Sequence, residues 1–443
     1  MPFSRTPAIV TALFAIVTVE IAAEHWPHWR GPSASGVSSE AKLPSRWSDT
    51  ENVAWKAPLR GLGISSPIVW GDLVVVTSQA GSGTVRPGPR LVQGGANPLE
   101  AGERPLGAGP GAGDGKVVFV VSAFDRRSGR PVWEYELPAE GPLPSVHEKH
   151  NLASPSPVTD GERVYAWFAT GQIAAIDLKG KLVWKKHLGA EYGPFEINWG
   201  HGSSPVVHKD RLILLCYHQP ASYLLSLDAR TGRVQWKADA PAGVTSYSTP
   251  LVLETGGKTE IVVNSSVGVS GHDGATGERL WHVDEANRFP VPTPVFHDGI
   301  IYMSRGYRSS PFMAIRPAGK GDVAATHVAW KVANGAPYIS SIVYYDGLIY
   351  MTGDVGVLSV ADAKTGERIY QERVGGVYTA SPVAGDGKVY LVSEDGETIV
   401  VAAGRTPRVL ERNKLSARQL ASPAISGGRL FIRSDDALYA IGK

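Results

Sequence analysis

The sequence predicts an all-β fold: an eight-bladed β-propeller in which each blade is a four-stranded antiparallel sheet. Two observations along the chain predict it. A repeat recurs with a spacing mostly in the forties, and each repeat holds four short apolar runs separated by Gly and Asp turn signals. A third observation concerns the ends: the last repeat lacks its outer strand, and a matching strand occurs near the amino terminus. Four-stranded units at this period are typical of propeller blades.

Each repeat begins at a Ser-Pro dipeptide or a close variant of it. The eight starts are Ser66-Pro67, Ser156-Pro157, Ser204-Pro205, Thr249-Pro250, Thr293-Pro294, Ser340-Ser341, Ser381-Pro382 and Ser422-Pro423. Most repeats end with an aspartate turn, a glycine and an aromatic residue, as at Asp228, Gly232 and Trp236. Aspartate bonds its own backbone in tight turns and glycine supplies a positive φ, so this ending predicts a hairpin into the outer strand.

Ring closure is predicted from the two ends of the repeat array. The repeat that starts at Ser422 contains only three apolar runs, whereas residues 52–59 form an isolated strand whose Trp55 matches the repeat tryptophan. Pairing this strand with the last blade removes both open sheet edges. We therefore expect seven complete blades and one blade shared between the two ends.

Composition and charge exclude several classes of protein. The chain of 443 residues is 43% hydrophobic, which excludes disorder, and its 51 glycines and 32 prolines favour a turn-rich sheet protein. With 44 basic and 42 acidic residues its net charge is +2. Because no Lys- and Arg-dense stripe occurs, nucleic acid is not an expected partner.

The amino-terminal residues resemble a targeting segment. A basic residue, an apolar run too short to span a bilayer and small residues near position 23 predict a secretory signal peptide over residues 1–23. We expect a periplasmic or secreted, monomeric product with a single propeller domain over residues 24–443 and no integral membrane segment. No cysteine stands at the cleavage point, so a lipoprotein is not expected, and Cys216 is expected to be a buried apolar residue.

Blade I contains a Gly- and Pro-rich insertion from about residue 80 to residue 115, between its second and third strands. Its composition does not support a core of its own. A lid over the funnel and a slack surface loop are both compatible with this pattern.

Ligand candidates are the residues just before each repeat start and in the loops that join second to third strands, because both sets of loops rim the same end of a propeller channel. They are rich in His, Arg, Asn and aromatic side chains, which suit a planar or sugar-like ligand, although ordinary loops also carry them. The candidates are His147, His150, Asn151, Asn198, Trp199, His201, Tyr247, Arg288, Arg305, Tyr307, Arg308, Tyr338 and Tyr378, with His218, Phe289, Asp354 and Arg418 nearby.

A metal site is the alternative interpretation of the histidines. His147, His150 and His201 lie on adjacent predicted loops, with Glu148 or Glu196 as a further oxygen ligand. Their spacing matches no fixed zinc pattern, so hydrogen-bonding rim histidines and no metal are expected. No nucleophile elbow, His-Glu-x-x-His or Cys-x-x-Cys motif occurs, and the sequence assigns no catalytic residue.

The pattern Ala-x-Asp-x-x-x-Gly-x-x-x-Trp at residues 123–133, with variants ending at Trp236 and Trp281, resembles the repeat of the PQQ (pyrroloquinoline quinone) propeller family. The resemblance covers nearly all of the chain after residue 23. It implies two branches: quinoprotein dehydrogenases, which hold PQQ and Ca²⁺ in the funnel, and BamB-like propellers without enzymatic activity. The dehydrogenases stack PQQ on a disulfide of adjacent cysteines, which a chain with only Cys216 does not form.

We therefore expect a binding or scaffold module with no cofactor, whose funnel face takes a protein partner or a small polar, aromatic or sugar-like ligand. The alternative is a PQQ-dependent alcohol or sugar dehydrogenase. In that alternative Arg305 or Arg308 would pair with the carboxylates of the cofactor.

Overall fold

A computed structural model describes residues 25–81, 117–144, 146, 149–307 and 311–442. Its strands form eight antiparallel sheets, and the helix found in these residues is a single short one, Leu188–Tyr192. The innermost strands contact those of neighbouring blades, and the innermost strand of blade VIII contacts that of blade I. The eight-bladed propeller predicted from the repeats is therefore confirmed.

Blades I to IV follow one another along the chain. Their strands, from the innermost outward, are Ile68–Trp70, Leu73–Ala80, Val118–Asp125 and Pro131–Pro138 in blade I; Val158–Thr159, Arg163–Trp167, Gln172–Asp177 and Leu182–His187 in blade II; Val206–His208, Arg211–Tyr217, Ser222–Asp228 and Val234–Asp239 in blade III; and Leu251–Thr255, Lys258–Asn264, Gly268–Asp273 and Arg279–Asp284 in blade IV.

Blades V to VIII continue the ring, and the amino-terminal strand Val53–Pro58 supplies the outer strand of blade VIII. The strands are Val295–His297, Ile300–Ser304, Phe312–Ile315 and Val328–Val332 in blade V; Val343–Tyr345, Leu348–Gly353, Val357–Asp362 and Arg368–Arg373 in blade VI; Val383–Gly385, Lys388–Val392, Glu397–Ala402 and Val409–Lys414 in blade VII; and Ala424–Ser426, Arg429–Arg433, Ala437–Ile441 and Val53–Pro58 in blade VIII.

The ring closes as the repeats predict. Val53–Pro58 pairs antiparallel with Ala437–Ile441, and Val53 stands opposite Ile441. Trp55 packs on Gly129 of blade I and its indole Nε1 donates to the carbonyl oxygen of Arg126 at 3.0 Å. A Cβ at Gly129, where φ is +70°, would lie 2.5 Å from the Trp55 ring. Only glycine therefore fits this contact.

The same contact recurs between other blades and explains the spacing of turn, glycine and tryptophan. Trp184 packs on Gly232, and its Nε1 donates to the Ala229 carbonyl oxygen at 2.9 Å. Trp281 departs from the pattern: it lies against Gly271 of its own blade and donates to Glu260 Oε1 at 2.7 Å. A short segment, Gly321–Asp322, pairs parallel with the outer strand of blade IV beside it. The apolar core lies between neighbouring blades, as where Phe119 stacks on Phe168 at 4.1 Å.

The repeat starts form a ring of hydrogen bonds around the channel. At seven junctions a backbone amide of one blade donates to the Ser or Thr hydroxyl of the next blade, at 2.8 to 3.0 Å. The donor and acceptor pairs are Ser66 to Ser156, Ser156 to Ser204, Ser204 to Thr249, Thr249 to Thr293, Thr293 to Ser341, Ser341 to Ser381, and Ser381 to Ser422. The recurring Ser or Thr hydroxyl thus links each blade to the next, and we call this set of residues the hydroxyl ring.

Residues 25–38 lie inside the channel. Trp26 pairs with Val69 of blade I, and Val37 pairs with Ala384 of blade VII. Between them Pro27 accepts from the amide of Thr159 in blade II. This segment therefore spans the channel along its inner strands. In the described part of the chain no helix is both long and apolar enough to cross a bilayer.

The predicted signal peptide over residues 1–23 and the insertion beyond residue 81 lie outside the described residues.

Candidate funnel site

A cavity of about 220 Å³ lies in the channel where the inner strands begin. Hydroxyl-ring residues and aromatic side chains form its walls, together with Trp29 from residues 25–38, here called the channel segment. It is lined by Trp29, Ile64, Ser66, Lys149, His150, Ser154, Ser156, Trp199, Gly202, Ser204, Tyr247, Thr249, Val291, Tyr338, Ile339, Thr379, Ser381, Leu420 and Ser422.

Four of the sequence-predicted candidates line this cavity: His150, Trp199, Tyr247 and Tyr338. Trp199 packs edge-to-face on Phe289 with ring centres 5.7 Å apart, and Phe289 continues the contact to Tyr307 at 5.0 Å. Tyr307 in turn meets Tyr338 at 5.1 Å.

These rings and Tyr247, at 6.3 Å from Phe289, form a connected set, here called the aromatic arc, in which Trp199, Tyr247 and Tyr338 line the cavity and Phe289 and Tyr307 link them. It brings together connections that precede blades III, IV, V and VI. Such an arc offers flat apolar faces to a ligand.

Arg305 is not a rim residue. Its side chain is 0% exposed, and its guanidinium donates to the carbonyl oxygens of Ser265 and Glu285 and to the side-chain oxygen of Asn264. It fastens the connection of blade V to blade IV. The prediction placed Arg305 correctly in a loop but could not show that neighbouring backbone oxygens bind it.

His201 is also buried behind the wall rather than exposed to the cavity. Its ring lies 4.3 Å from Trp167 and 5.2 Å from Phe195, and neither ring nitrogen has a hydrogen-bond partner. Burial, and then the nearby His218 and His150, lower the pKa of His201 well below its usual value. His201 is therefore a neutral core residue.

Other candidates have structural or surface positions. Asn151 is buried and its side-chain oxygen accepts from the Ala153 amide at 2.9 Å, while Tyr378 is fully buried in the core of blades VI and VII. Asn198 and Arg288 are exposed, and the Arg288 guanidinium lies 5.2 Å from the Phe289 ring. His147, Glu148 and Arg308 lie outside the described residues.

Sequence reasoning missed an ion pair at the cavity. Lys149, on the connection between blades I and II, reaches blade VII and binds Glu394 Oε1 at 2.7 Å, with side chains 10% and 3% exposed. Thr379 donates to the same carboxylate oxygen at 2.6 Å. Loop position could have identified Glu394, because it follows the second strand of blade VII. Lys149 lies in the segment 147–151, in which the sequence predicts only the histidines, the glutamate and the asparagine as ligands.

Asp354 lies beside this pair, in the loop between the second and third strands of blade VI. Its Oδ1 accepts from the amide of Ile339, a lining residue, at 3.3 Å. Burial raises the pKa of Asp354 to about 7, and Lys149 opposes this rise while Glu394 adds to it. A carboxyl group that exchanges protons near neutral pH therefore stands next to the cavity wall.

The hydroxyl ring leaves donors facing the cavity. The hydroxyls of Ser156, Ser204, Thr249, Ser381 and Ser422 each accept an amide proton and each line the cavity. Over the described ranges none of these five hydroxyls donates a hydrogen bond. Because each carries one proton of its own, five donors are available to whatever fills the cavity.

The side chains do not fit the quinone and calcium site that the resemblance implies. Arg305 is committed to backbone oxygens, and Cys216 is buried in blade III with a thiol pKa raised by burial. Within the residues that the structure describes, no three His, Cys, Asp or Glu side chains are grouped to hold a metal ion.

Two curated proteins are similar to this chain in sequence. The tetrathionate hydrolase of Acidithiobacillus ferrooxidans is 26% identical over 364 residues, which cover 78% of this chain and 65% of the hydrolase. The outer membrane protein assembly factor BamB of Marinobacter adhaerens is 31% identical over 77 residues, which cover 17% of this chain and 19% of that protein. The chain thus spans less than two thirds of the curated relatives it matches.

Solved structures share the fold. The quinohemoprotein alcohol dehydrogenase ADHIIG from Pseudomonas putida superposes with a TM-score of 0.63 at 13% identity, over 94% of this chain and 80% of that one. BamB from Moraxella catarrhalis gives a TM-score of 0.54 at 14% identity, over 73% and 88%.

The family model described as outer membrane protein assembly factor BamB, a model of PQQ-like repeats, matches residues 119–328 and 319–441. These two segments overlap and together span most of the propeller. The chain therefore belongs to this PQQ-like, BamB-related propeller family.

Proposed function

We propose that this chain is a binding module that holds a small polar ligand in the funnel cavity. One observation carries the proposal: five residues whose hydroxyls accept an amide proton and donate to no described group line the same cavity as Trp199, Tyr247 and Tyr338. Buried donors normally have acceptors, so this surface is complementary to a ligand rich in oxygen acceptors. The aromatic arc supplies flat contact area, and a few polar groups fix the orientation, as in other ligand sites.

Tryptophan fluorescence tests the proposal because Trp29 and Trp199 both line the cavity. A panel of sugars, aromatic acids and sulfur oxyanions is titrated into the purified chain. We expect at least one class to change the emission, and Tyr247→Ala to weaken that ligand by about tenfold through loss of stacking area. Tyr135→Ala, on the outer strand of blade I, is the matched control.

A change in affinity confined to Tyr247→Ala supports a funnel ligand. The proposal is wrong if no class of ligand alters the emission. It is equally wrong if Tyr135→Ala and Tyr247→Ala weaken binding alike.

We further infer that the chain acts outside the cytoplasm. Residues 1–23 have the pattern of a signal peptide, and the matching family model carries the name of an outer membrane assembly factor. That name also favours a protein partner at the funnel face as an alternative occupant. Amino-terminal mass spectrometry of the periplasmic fraction should find the chain beginning near residue 24, and an uncleaved amino terminus would contradict export.

A second candidate function is hydrolysis of a sulfur oxyanion. The name of the Acidithiobacillus relative raises it, and Asp354 favours it because a carboxyl group with a pKa of about 7 can take a proton from water at neutral pH. The water oxygen would form a bond to a bridging sulfur of tetrathionate while the S–S bond breaks and thiosulfate leaves, so that the other product keeps the new S–OH group. Release of thiosulfate from tetrathionate measures the activity. We expect a rate that rises with pH through about 7, as Asp354 ionises.

Asp354→Asn should abolish this activity, whereas Asp298→Asn, at the hairpin between the first two strands of blade V, should leave it intact. Thiosulfate release that survives Asp354→Asn contradicts the assigned role. Ligand binding without any release leaves the binding module as the function and excludes the hydrolase.

A further inference from the structure

We infer that the funnel ligand is an oxyanion, an inference that rests on the proposed binding function and names its ligand class. The argument uses buried cations behind the cavity wall, the donors on the wall itself and the balance of charge around the mouth.

Arg30, on the segment inside the channel, is the cation beneath the cavity. It is 2% exposed and follows the lining residue Trp29. Its guanidinium donates to the carbonyl oxygens of Pro382 at 2.7 Å and Ile342 at 2.6 Å, residues that directly follow the hydroxyl-ring members Ser381 and Ser341. Throughout the described residues no carboxylate lies within 4.0 Å of this guanidinium.

Arg433 is a second buried cation, at the junction of blades VIII and I. It is 1% exposed and donates to the Thr77 carbonyl oxygen at 2.6 Å and to the hydroxyls of Ser65 at 2.5 Å and Ser78 at 2.8 Å. Ser65 lies between Ile64 and Ser66, both of which line the cavity. Burial lowers the pKa of Arg433 to about 9, so it stays charged at neutral pH.

Neutral oxygens compensate a buried guanidinium only in part, because burial of a charge without a counter-ion is costly. Acidic groups near the mouth supply only part of the missing charge. Glu394 pairs with Lys149, Asp435 is shared between Arg418, at 3.8 Å, and Arg433, and burial raises the pKa of Asp354 to about 7.

Four cations, Arg30, Arg433, Lys149 and Arg418, thus face two full carboxylates and one partial one. The surroundings of the cavity carry net positive charge. Positive charge behind a wall of hydroxyl donors selects an anion with oxygen acceptors, and the aromatic arc accommodates an apolar body attached to it.

Benzenesulfonate and benzenesulfonamide test the inference because they share size and ring and differ in charge at pH 7. Calorimetric titration at constant ionic strength should show the sulfonate binding at least tenfold more tightly. Tetrathionate and thiosulfate serve as probes without an aromatic ring. Equal or tighter binding of the sulfonamide overturns the oxyanion while leaving the binding module in place.

Ser66→Ala tests the contribution of a wall hydroxyl to ligand affinity separately from its contribution to folding stability. Ser66 lines the cavity, and its hydroxyl takes no part in the amide-to-hydroxyl ring bonds, so its removal should weaken the sulfonate about threefold to tenfold with little loss of stability. Ser341→Ala, a ring hydroxyl outside the cavity, is the control and should lower stability without changing affinity.

Equal effects of the two serine variants on affinity overturn the assignment of wall donors. Arg433→Lys should retain the preference for sulfonate and Arg433→Met should lose it. Failure of every anion and every neutral compound in the fluorescence panel instead overturns the proposed function itself, so the two failures are distinguishable.

Discussion

The junction between blades II and III and the junction between blades VIII and I bring equivalent surfaces together by different means. At the former, the Ser156 amide donates to the Ser204 hydroxyl and Trp184 packs on Gly232. At the latter, Trp55 repeats the tryptophan contact, but Arg433, Arg429 and Arg126 all donate across the boundary.

The difference follows from chain connectivity. Blades II and III are joined by a short connection, so their association closes a small loop. Val53 and Ile441 pair with each other although almost the whole propeller lies between them in sequence. Closing the longer loop costs more conformational entropy. Charge-assisted hydrogen bonds are stronger than neutral ones, and they are concentrated at the junction that the chain itself does not tether.

The largest effect is expected at the closing tryptophan. Trp55→Ala removes a mostly buried ring, its contact with Gly129 and the bond to the Arg126 carbonyl, and should cost about 3–5 kcal/mol of unfolding free energy. Trp184→Ala should cost about 1–3 kcal/mol, because blades II and III stay tethered. Denaturant unfolding measures both. Equal losses would show that connectivity does not distinguish the junctions.

Arg433→Met compares the two kinds of junction through buried arginines. It leaves the oxygens of Ser65 and Thr77 without their donor and should cost about 2–4 kcal/mol. Arg305→Met, at the tethered junction of blades IV and V, should cost about 1–2 kcal/mol. A larger loss of unfolding free energy in Arg305→Met than in Arg433→Met, measured by thermal or denaturant unfolding, would contradict the greater importance of arginines at the closing junction.

A pH series separates the junctions from the site, because the junctions depend on arginines and tryptophans, whereas the site contains a carboxyl group. The pKa of Asp354 rises from 3.8 to about 7 on folding. A carboxyl group with a raised pKa favours the folded state fully below pH 4 and loses this contribution as pH rises through 7.

The wild-type chain should therefore lose about 4 kcal/mol between pH 4 and 8 from this group, and Asp354→Asn should flatten that change. Unfolding free energies at several pH values measure it. An unchanged slope in Asp354→Asn would show that Asp354 ionises normally.

The smallest effect is expected for one member of the hydroxyl ring. Ser341→Ala deletes the acceptor of the Thr293 amide and should cost about 1 kcal/mol. Conservative replacement by Thr should restore most of it. A loss of several kcal/mol in Ser341→Ala would indicate that the ring, rather than the closing junction, dominates the stability of the propeller.

The parts of the fold that could be predicted are those encoded by local repetition. The repeat starts, the aspartate turns and the Trp55 strand each carry a short pattern that recurs, and the structure places all of them as predicted. The channel segment carries no such pattern. Nothing local in residues 25–38 indicates that Trp26 and Val37 pair with the inner strands of two different blades.

The candidate site was predictable only by position along the chain. Loop position selected His150, Trp199, Tyr247 and Tyr338, which line the cavity, and selected Arg305 and His201 equally, which do not. Whether a loop side chain turns toward the cavity or toward backbone oxygens depends on contacts between blades that are distant in sequence. The Lys149 to Glu394 ion pair has the same origin.

The shared last blade has a consequence for how the molecule is made. The strand that closes the ring is synthesised before any complete blade, and its partner Ala437–Ile441 is synthesised after the strands of the other seven blades. Until residues 437–441 have been made, the early strand lacks its pairing partner, and a chain truncated before residue 437 would keep two unpaired sheet edges. Ring closure is therefore a late step that joins the earliest strand of the propeller to its last blade.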